Sequence, residues 1–496
     1  MCTVDDFDRM LYEGASLTPP ELPEEEPPKP WKAAVMRICW GLVLINFTLN
    51  FWYLDIILPS IGAVLLWQGL RPLRRENGGF RFAGACAAGY AALRLAAAVL
   101  LATPFDRFMA ERMGGEWNTT TGAVPLWTAL RSSVLQAVLA LAVAGLWLGL
   151  KGVFHKAGQR PRTAAVGALA AAEFLMIPLA LIGVEGWLLV GPLILLWALL
   201  LRGLWKLSAS LDEAGYALTP APVKCPAGAS MALWLGPPLL AVVILPLLFA
   251  RLPVDSRPAV HESGEQALRA ELAELGVPEE LLSRLPDEQA AKLEGAYGLT
   301  VKGDTSEWDS AGEYPDGSPG TARYEIPVRD EKYGFRTVYL IDLCWDEANA
   351  FHGGYMEGIQ VTPDFHGVTA SASCPQGALE WTDSSGVLRT APLDFRFHTN
   401  HWGLSAYVSD FSLPKGVDGE IHGYLLWEVV PSLPETVTVY NSQVGFVHRS
   451  TPWQYPYTLP SELLTTNRVT PGWVLNGAHA YTNHLAPEGL YEAYKY

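Results

Sequence analysis

Two charged residues sit inside long apolar runs, and a charge in hydrocarbon is costly unless it is paired or functional. Arg94 lies midway through the run 82–103, and Glu173 midway through 163–184. If both runs cross a membrane in the same direction, the two side chains reach a similar depth and can pair. Such a pair either lines an ion or proton pathway or holds two helices together. Asp55 falls between two shorter apolar runs, nearer an interface. Asn46 and Asn50 offer hydrogen bonds between neighbouring helices.

Outside the apolar part the chemical signals are thinner. His398 and His401 form an HxxH. On a strand the two point to opposite faces, and no third ligand accompanies them, so the sequence names no metal centre. Asp304, Glu307, Asp309, Glu313 and Asp316, with Gly317, carry oxygens suited to calcium but lack EF-hand spacing, and read as a solvated acidic linker. Cys344 and Cys374 either pair as a disulfide in an oxidising compartment or remain buried thiols. Trp453, Tyr455 and Tyr457 form an aromatic cluster that suits either a face for an envelope glycan or protein ligand or a β core. GxGxxG, GxxxxGK[ST], HExxH, CxxC and GxSxG are all absent from the sequence. Carboxylate spacing alone singles out no acid/base pair. No catalytic residue and no cofactor is therefore assigned, and the reading leans away from an enzyme.

Composition explains where these groups lie. The chain has 496 residues, 50% hydrophobic and only 17% charged, with a net charge of −16. Residues 33–250 hold nearly all the long apolar runs. Residues 1–32 form an acidic, Pro-rich tail, read as cytoplasmic and open to a cytoplasmic partner. In 251–496 acids outnumber bases about two to one. Such surfaces repel phosphate backbones and argue against nucleic-acid binding.

A membrane span needs about 20 apolar residues. Seven runs approach this: 35–50, 56–70, 82–103, 125–150, 163–184, 187–205 and 231–250. The first two form either a tight hairpin or one bent helix, giving seven spans or six. Basic clusters decide between these, because basic loops stay in the cytoplasm. Arg71, Arg74, Arg75 and Arg81 make one cluster, Lys151, Lys156, Arg160 and Arg162 a second, and Arg202, Lys206 and Lys224 a third. Only the hairpin keeps Lys29, Lys32 and Arg37 on the same side as the Arg71–Arg81 group. The resulting fold is an α-helical transmembrane bundle of about seven spans, in contact with the lipid bilayer, with the N-terminus cytoplasmic and the C-terminal domain extracytoplasmic.

The stretch LDIILPSIGAVLLWQGLRPL at 54–73 resembles a hairpin of multi-pass membrane proteins from Firmicutes bacteria, in which a pattern like ID-ILP-IG-LL--GL precedes basic residues. DEAGYALTPAPV at 212–223 is similar to a segment of the same proteins. The resemblance implies a bacterial cell membrane and carries no activity with it.

Residues 251–300 read as a short helical module, with Leu268, Leu272 and Leu275 at helix spacing, Gly276 as a C-cap, and Pro278 and Pro286 opening further turns. A linker at 301–322 follows. Strands are expected at 323–328, 336–343, 358–362, 367–372, 393–398, 422–429 and 436–447, which suggests a mainly-β domain over 323–496, a β-sandwich. Functionally this is an integral membrane protein presenting a β-rich domain for ligand sensing or envelope interaction. The alternatives are a transporter or permease component using the bundle, and an envelope hydrolase.

Overall fold

Long apolar runs make the first part of the chain helical, and period-two alternation makes the last part a pair of sheets. The computed structural model describes residues 30–47, 53–113, 126–182, 187–213, 220–261, 264–302, 319–332, 334–345, 355–364, 370–399, 405–431, 441–449, 451–462 and 478–485. The tail at 1–29, the acidic stretch at 303–318, Asn50, His401, Trp402 and Trp473 lie outside them. The chain divides into two compact units: Met1–Arg94 with Ser132–Ala180 and Val184–Leu235, and Leu95–Arg131 with Leu181–Gly183 and Gly236–Tyr496.

Eight helices lead. They are α1 (Pro30–Asn46), α2 (Leu54–Leu70, extended by a 3-10 turn over Arg71–Arg75), α3 (Gly78–Leu100), α4 (Phe105–Arg112), α5 (Leu126–Lys156), α6 (Ala164–Ile182), α7 (Trp187–Glu213) and α8 (Ala227–Leu248). Among the described residues five stretches are long and apolar enough to cross a membrane: Leu54–Arg75, Gly78–Leu100, Leu126–Lys156, Ile194–Leu211 and Ala227–Leu248. This is a multi-pass membrane protein. Seven runs were expected to span. Those at 35–50 and 163–184 become α1, of 17 residues, and a shorter apolar stretch at Ala164–Pro178.

Within the first unit, residues 35–70 form a hairpin of two helices rather than one bent helix. Glycines permit it: a Cβ on Gly62 would lie 2.6 Å from the Gly41 carbonyl oxygen, so the backbones of α1 and α2 touch. Ile38, Leu42, Leu66, Leu70, Phe80, Leu139, Leu146 and Leu204 fill the core. Polar side chains act as fasteners at the helix ends. Asn77 accepts from Phe80 N at 3.1 Å, capping α3, and donates to the Gly149 carbonyl on α5 at 2.8 Å. Gln68 donates to the Ala227 carbonyl and to Ser230 Oγ, both at 2.9 Å.

In the second unit the strands are β1 (Arg257–Pro258), β2 (Thr300–Lys302), β3 (Gly320–Asp330), β4 (Gly334–Trp345), β5 (Met356–Asp364), β6 (Ala370–Ala372), β7 (Gln376–Asp383), β8 (Leu388–Pro392), β9 (Arg396–Thr399), β10 (Ser405–Phe411), β11 (Val417–Pro431), β12 (Asn441–Arg449) and β13 (Ala478–Leu485). They build two antiparallel sheets, neither closed. An eight-stranded sheet runs β1-β8-β7-β11-β4-β3-β2 with β6 also on β11, and a five-stranded sheet runs β13-β12-β5-β10-β9. Tyr339, Ile341, Leu343, Trp345, Leu425 and Trp427 of the first meet Ile359, Val361, Val444 and Phe446 of the second in one core.

The alternate residues of β4 and β11, Val338, Leu340, Tyr424 and Leu426, face the other way. They bury Leu268 and Leu272 of α9 (Gln266–Leu275) and Leu281 and Leu282 of α10 (Glu279–Arg284), which is followed by α11 (Asp287–Ala290). Within the module at 251–300 these helices form a third layer on the eight-stranded sheet. Gly276 (φ 108°) closes α9 as its C-cap, and Pro278 and Pro286 precede α10 and α11. Arg269 fixes the layer through the Leu285 carbonyl and Asp287, each at 2.8 Å.

Candidate functional site

The five-stranded sheet turns one face into the shared core, and side chains of the opposite parity point to its other face. That other face is overlaid by the segment 451–462. Gly358 makes room for it: a Cβ there would lie 2.7 Å from Pro460 Cβ and 2.8 Å from Ser461 N. Asp410, directly opposite Gly358 in the ladder, has a side chain only 3% exposed. Its carboxylate accepts from Ser461 N at 2.8 Å, from Ser461 Oγ at 2.6 Å and from Arg396 Nη2 at 2.6 Å. Arg396 also donates to Ser461 Oγ at 3.0 Å. Arg449, at the end of β12, is 1% exposed and donates to the Thr458 carbonyl at 3.0 Å. Burial lowers its pKa to about 10, against the pull of Tyr457, Asp410, Glu462 and Glu357, so it remains a cation at neutral pH.

The same segment closes the end of α3. A helix leaves its last four carbonyls without intrahelical partners. Here Ala97, Val99 and Leu100 accept from Leu101 N, Ala102 N and Thr103 N, each at 3.0 Å. The fourth, Ala98, accepts from the Tyr455 hydroxyl at 3.0 Å. One turn on, Leu101 accepts from Tyr457 N at 2.7 Å, and Arg107 of α4 forms an ion pair with Glu462. The chain leaving α8 joins the same place. The Tyr457 ring meets Phe249 edge-on at 6.4 Å, Leu252 N donates to Ser412 Oγ at 2.8 Å, and Arg251 donates to the Leu413 carbonyl. Segment 451–462 is a strap binding the five-stranded sheet to the ends of two apolar helices. Tyr455→Phe removes one buried hydrogen bond, with an expected cost of about 1–2 kcal/mol in thermal unfolding of the detergent-solubilised protein; an unchanged melting point would discount the bond.

On the core face of the sheet, directly across the β5–β12 ladder, His448 Nδ1 lies 2.7 Å from Glu357 Oε1, both buried. Burial raises the Glu357 pKa above the usual carboxylate value, opposed by the His448 bond and by the charges of His448, Arg251 and Arg449. A raised carboxylate favours the folded state while it is protonated. Its contribution is complete below the unfolded value and is lost as pH rises through the folded one. The stability-versus-pH curve should therefore fall across that interval, and Glu357→Gln should flatten it in melts run from mildly acid to neutral pH.

Comparison with protein-family models, with characterised proteins and with solved structures finds no match to this chain. Chemistry has to be read from the geometry alone. The Ser461 hydroxyl donates to Asp410, and the His448 ring is engaged with Glu357. Neither arrangement has the serine-to-imidazole bond that activates a nucleophile.

The residues singled out by sequence fall as follows. Arg94 and Glu173 are not joined by an ion pair among the described residues. Glu173, fully buried, accepts from Gln136 of α5 and from Asn46 of α1, the latter at 3.5 Å. Arg94 donates to the backbone carbonyl of Asp55 at 2.7 Å. Equal depth did not fix which way each helix turned its polar residue.

Cys344 and Cys374 are not bridged. The Cys344 thiol faces Glu420, and Cys374 lies beside the carbonyls of Pro375 and Phe395. Of the aromatic cluster, Tyr455 is 5% exposed and engaged with Ala98, so it offers no open stacking face. Trp453 stacks on its inner neighbour with centroids 6.4 Å apart. His398 sits on β9. Sequence reasoning missed Asp410, Arg449 and the strap. The one local signal was a basic residue ending the apolar alternation of VGFVHR at 444–449.

Proposed function

We propose that this protein is a membrane-anchored sensor or envelope-interaction protein. The helical bundle holds it in a bacterial cell membrane with the N-terminus in the cytoplasm. The β-rich domain, a β-sandwich with a helical layer, stands outside and meets an envelope glycan or protein ligand. Movement of the five-stranded sheet passes through the strap to the end of α3 and to α4. The observation that carries this reading is the strap itself. A domain that is only displayed needs one flexible tether, whereas this one has its helix-end carbonyls, a buried cation and an ion pair fastened to a single segment. The side of the membrane rests on the basic loops. Single cysteines at Ser384, in the β7–β8 turn, and Gly158, just after α5, are tested in a cysteine-free background with an impermeant thiol reagent on intact cells. Labelling at 384 and not at 158 supports the outward domain; labelling at 158 alone overturns it.

A second reading, transport through the bundle, is favoured by Glu173. It is a buried acid held by two amide side chains, with no ion-pair partner among the described residues, and intramembrane acids commonly serve as proton relays. Glu173→Gln abolishing proton-coupled uptake in vesicles would favour it over sensing.

A further inference from the structure

The helix-bearing face of the eight-stranded sheet carries, beyond its apolar patch, a cluster that neither reading above uses. In the β4–β11 ladder Cys344 stands directly opposite His422. Glu420, two residues before His422, points to the same face by strand alternation. Glu420 Oε2 lies 3.3 Å from His422 Nε2 and 3.7 Å from Cys344 Sγ. The three donor atoms all fall within 4.8 Å of one another. On the other side of β11, Glu380 of β7 is directly opposite His422 and takes His261 Nε2 at 2.9 Å.

We propose that Cys344, Glu420 and His422 bind a zinc ion. Zinc takes a thiolate at about 2.3 Å and nitrogen or oxygen at about 2.0–2.2 Å. Tetrahedral angles then put ligand atoms roughly 3.3–3.8 Å apart, the range of the two separations above. The donor set selects the metal. A thiolate beside an imidazole disfavours calcium and magnesium, which want oxygen alone, and suits zinc. Rigidity favours it too, because two ligands are a cross-strand pair whose Cβ positions the ladder fixes. Three protein ligands leave a fourth position open, as in sites where zinc holds water or an incoming group. The Glu420 side chain is 55% exposed and that of His422 33%, so this position faces solvent. Glu380, opposite His422 in the ladder and bonded to His261, lies on the same face beside the three ligands. Binding would deprotonate the Cys344 thiol and release one proton to solvent.

Zinc binding here is separate from the sensing reading, since it involves neither the strap nor the five-stranded sheet. The test uses the full chain in detergent, stripped with a chelator and titrated with cobalt(II). One cobalt per chain should give a thiolate-to-cobalt charge-transfer band that zinc then abolishes. Cys344→Ser should remove the band while Cys374→Ser keeps it, and His422→Ala should weaken zinc binding at least about 100-fold. If Cys344→Ser fails to fold, Glu420→Gln decides, because its side chain is exposed: a tenfold or greater loss of zinc affinity supports the site. No band, a band that survives Cys344→Ser, or unchanged zinc affinity in His422→Ala or Glu420→Gln overturns it.

Discussion

Asp410→Ala should be among the most damaging single changes in the β region, with an expected loss of about 2–4 kcal/mol. The aspartate is almost fully buried and takes three hydrogen bonds, two from the strap at Ser461 and one from Arg396. Truncation leaves the buried Ser461 hydroxyl and backbone N–H facing an apolar methyl, while the Arg396 guanidinium, 39% exposed, turns to water. Buried donors without acceptors cost more than the bonds themselves contributed. Asp410→Asn keeps an acceptor for Ser461 N and loses the charge, so its cost should be smaller. Asp418→Ala, at an exposed position near the start of β11, should stay within about 0.5 kcal/mol. Denaturant unfolding in detergent, followed by tryptophan fluorescence, ranks the three. A stable Asp410→Ala protein would mean that the strap is seated by its other contacts, at Tyr455, Tyr457, Thr458 and Glu462, without the aspartate.

The strap also marks where sequence reasoning stopped. Each of the seven expected strands lies within or overlaps a strand of the fold, because β-branched and aromatic residues alternate along them and glycine or proline bounds them. β7 and β8 escaped notice although Leu379, Trp381 and Ala391 enter the core. Their sequences, QGALEWTD and LRTAP, mix small and polar residues with the apolar ones and so alternate weakly. The hairpin at 35–70 was legible from charge, since only two helices keep both flanking basic clusters on one side. The Arg94–Glu173 pair was inferred from depth. Depth along a helix is written in residue count, but the direction of a side chain around the axis depends on which neighbours pack where. The strap bonds were beyond reach, because Tyr455 and Ala98 are 357 residues apart and no local pattern links them. The same holds for Cys344 and His422, brought opposite one another only by the pairing of β4 with β11.

Gly62→Leu should unseat the α1–α2 hairpin at a cost of about 3 kcal/mol or more, while the same change at Gly84 should be nearly neutral. Both are glycines in apolar helices, and a composition argument treats them alike. At Gly84 an added Cβ meets nothing within 4 Å. At Gly62 it would lie 2.6 Å from the Gly41 carbonyl oxygen and 3.0 Å from Ile45 N, both backbone atoms that cannot step aside without moving α1 as a whole. Lipid tails are as apolar as the side chains, so close backbone approach, more than apolar burial, drives such helices together. The consequence extends to the buried acid. Asn46, in the last turn of α1, donates to the Glu173 carboxylate at 3.5 Å. A displaced α1 withdraws that donor and leaves Gln136 as the only amide side chain bonded to Glu173 among the described residues. Melting of Gly62→Leu and Gly84→Leu in detergent, with proton-coupled uptake measured beside it, separates the outcomes. Equal stability of the two variants would show that the hairpin is not held by backbone contact. A loss confined to Gly62→Leu, with uptake lost in step, would tie the packing glycine to the acid it helps to position.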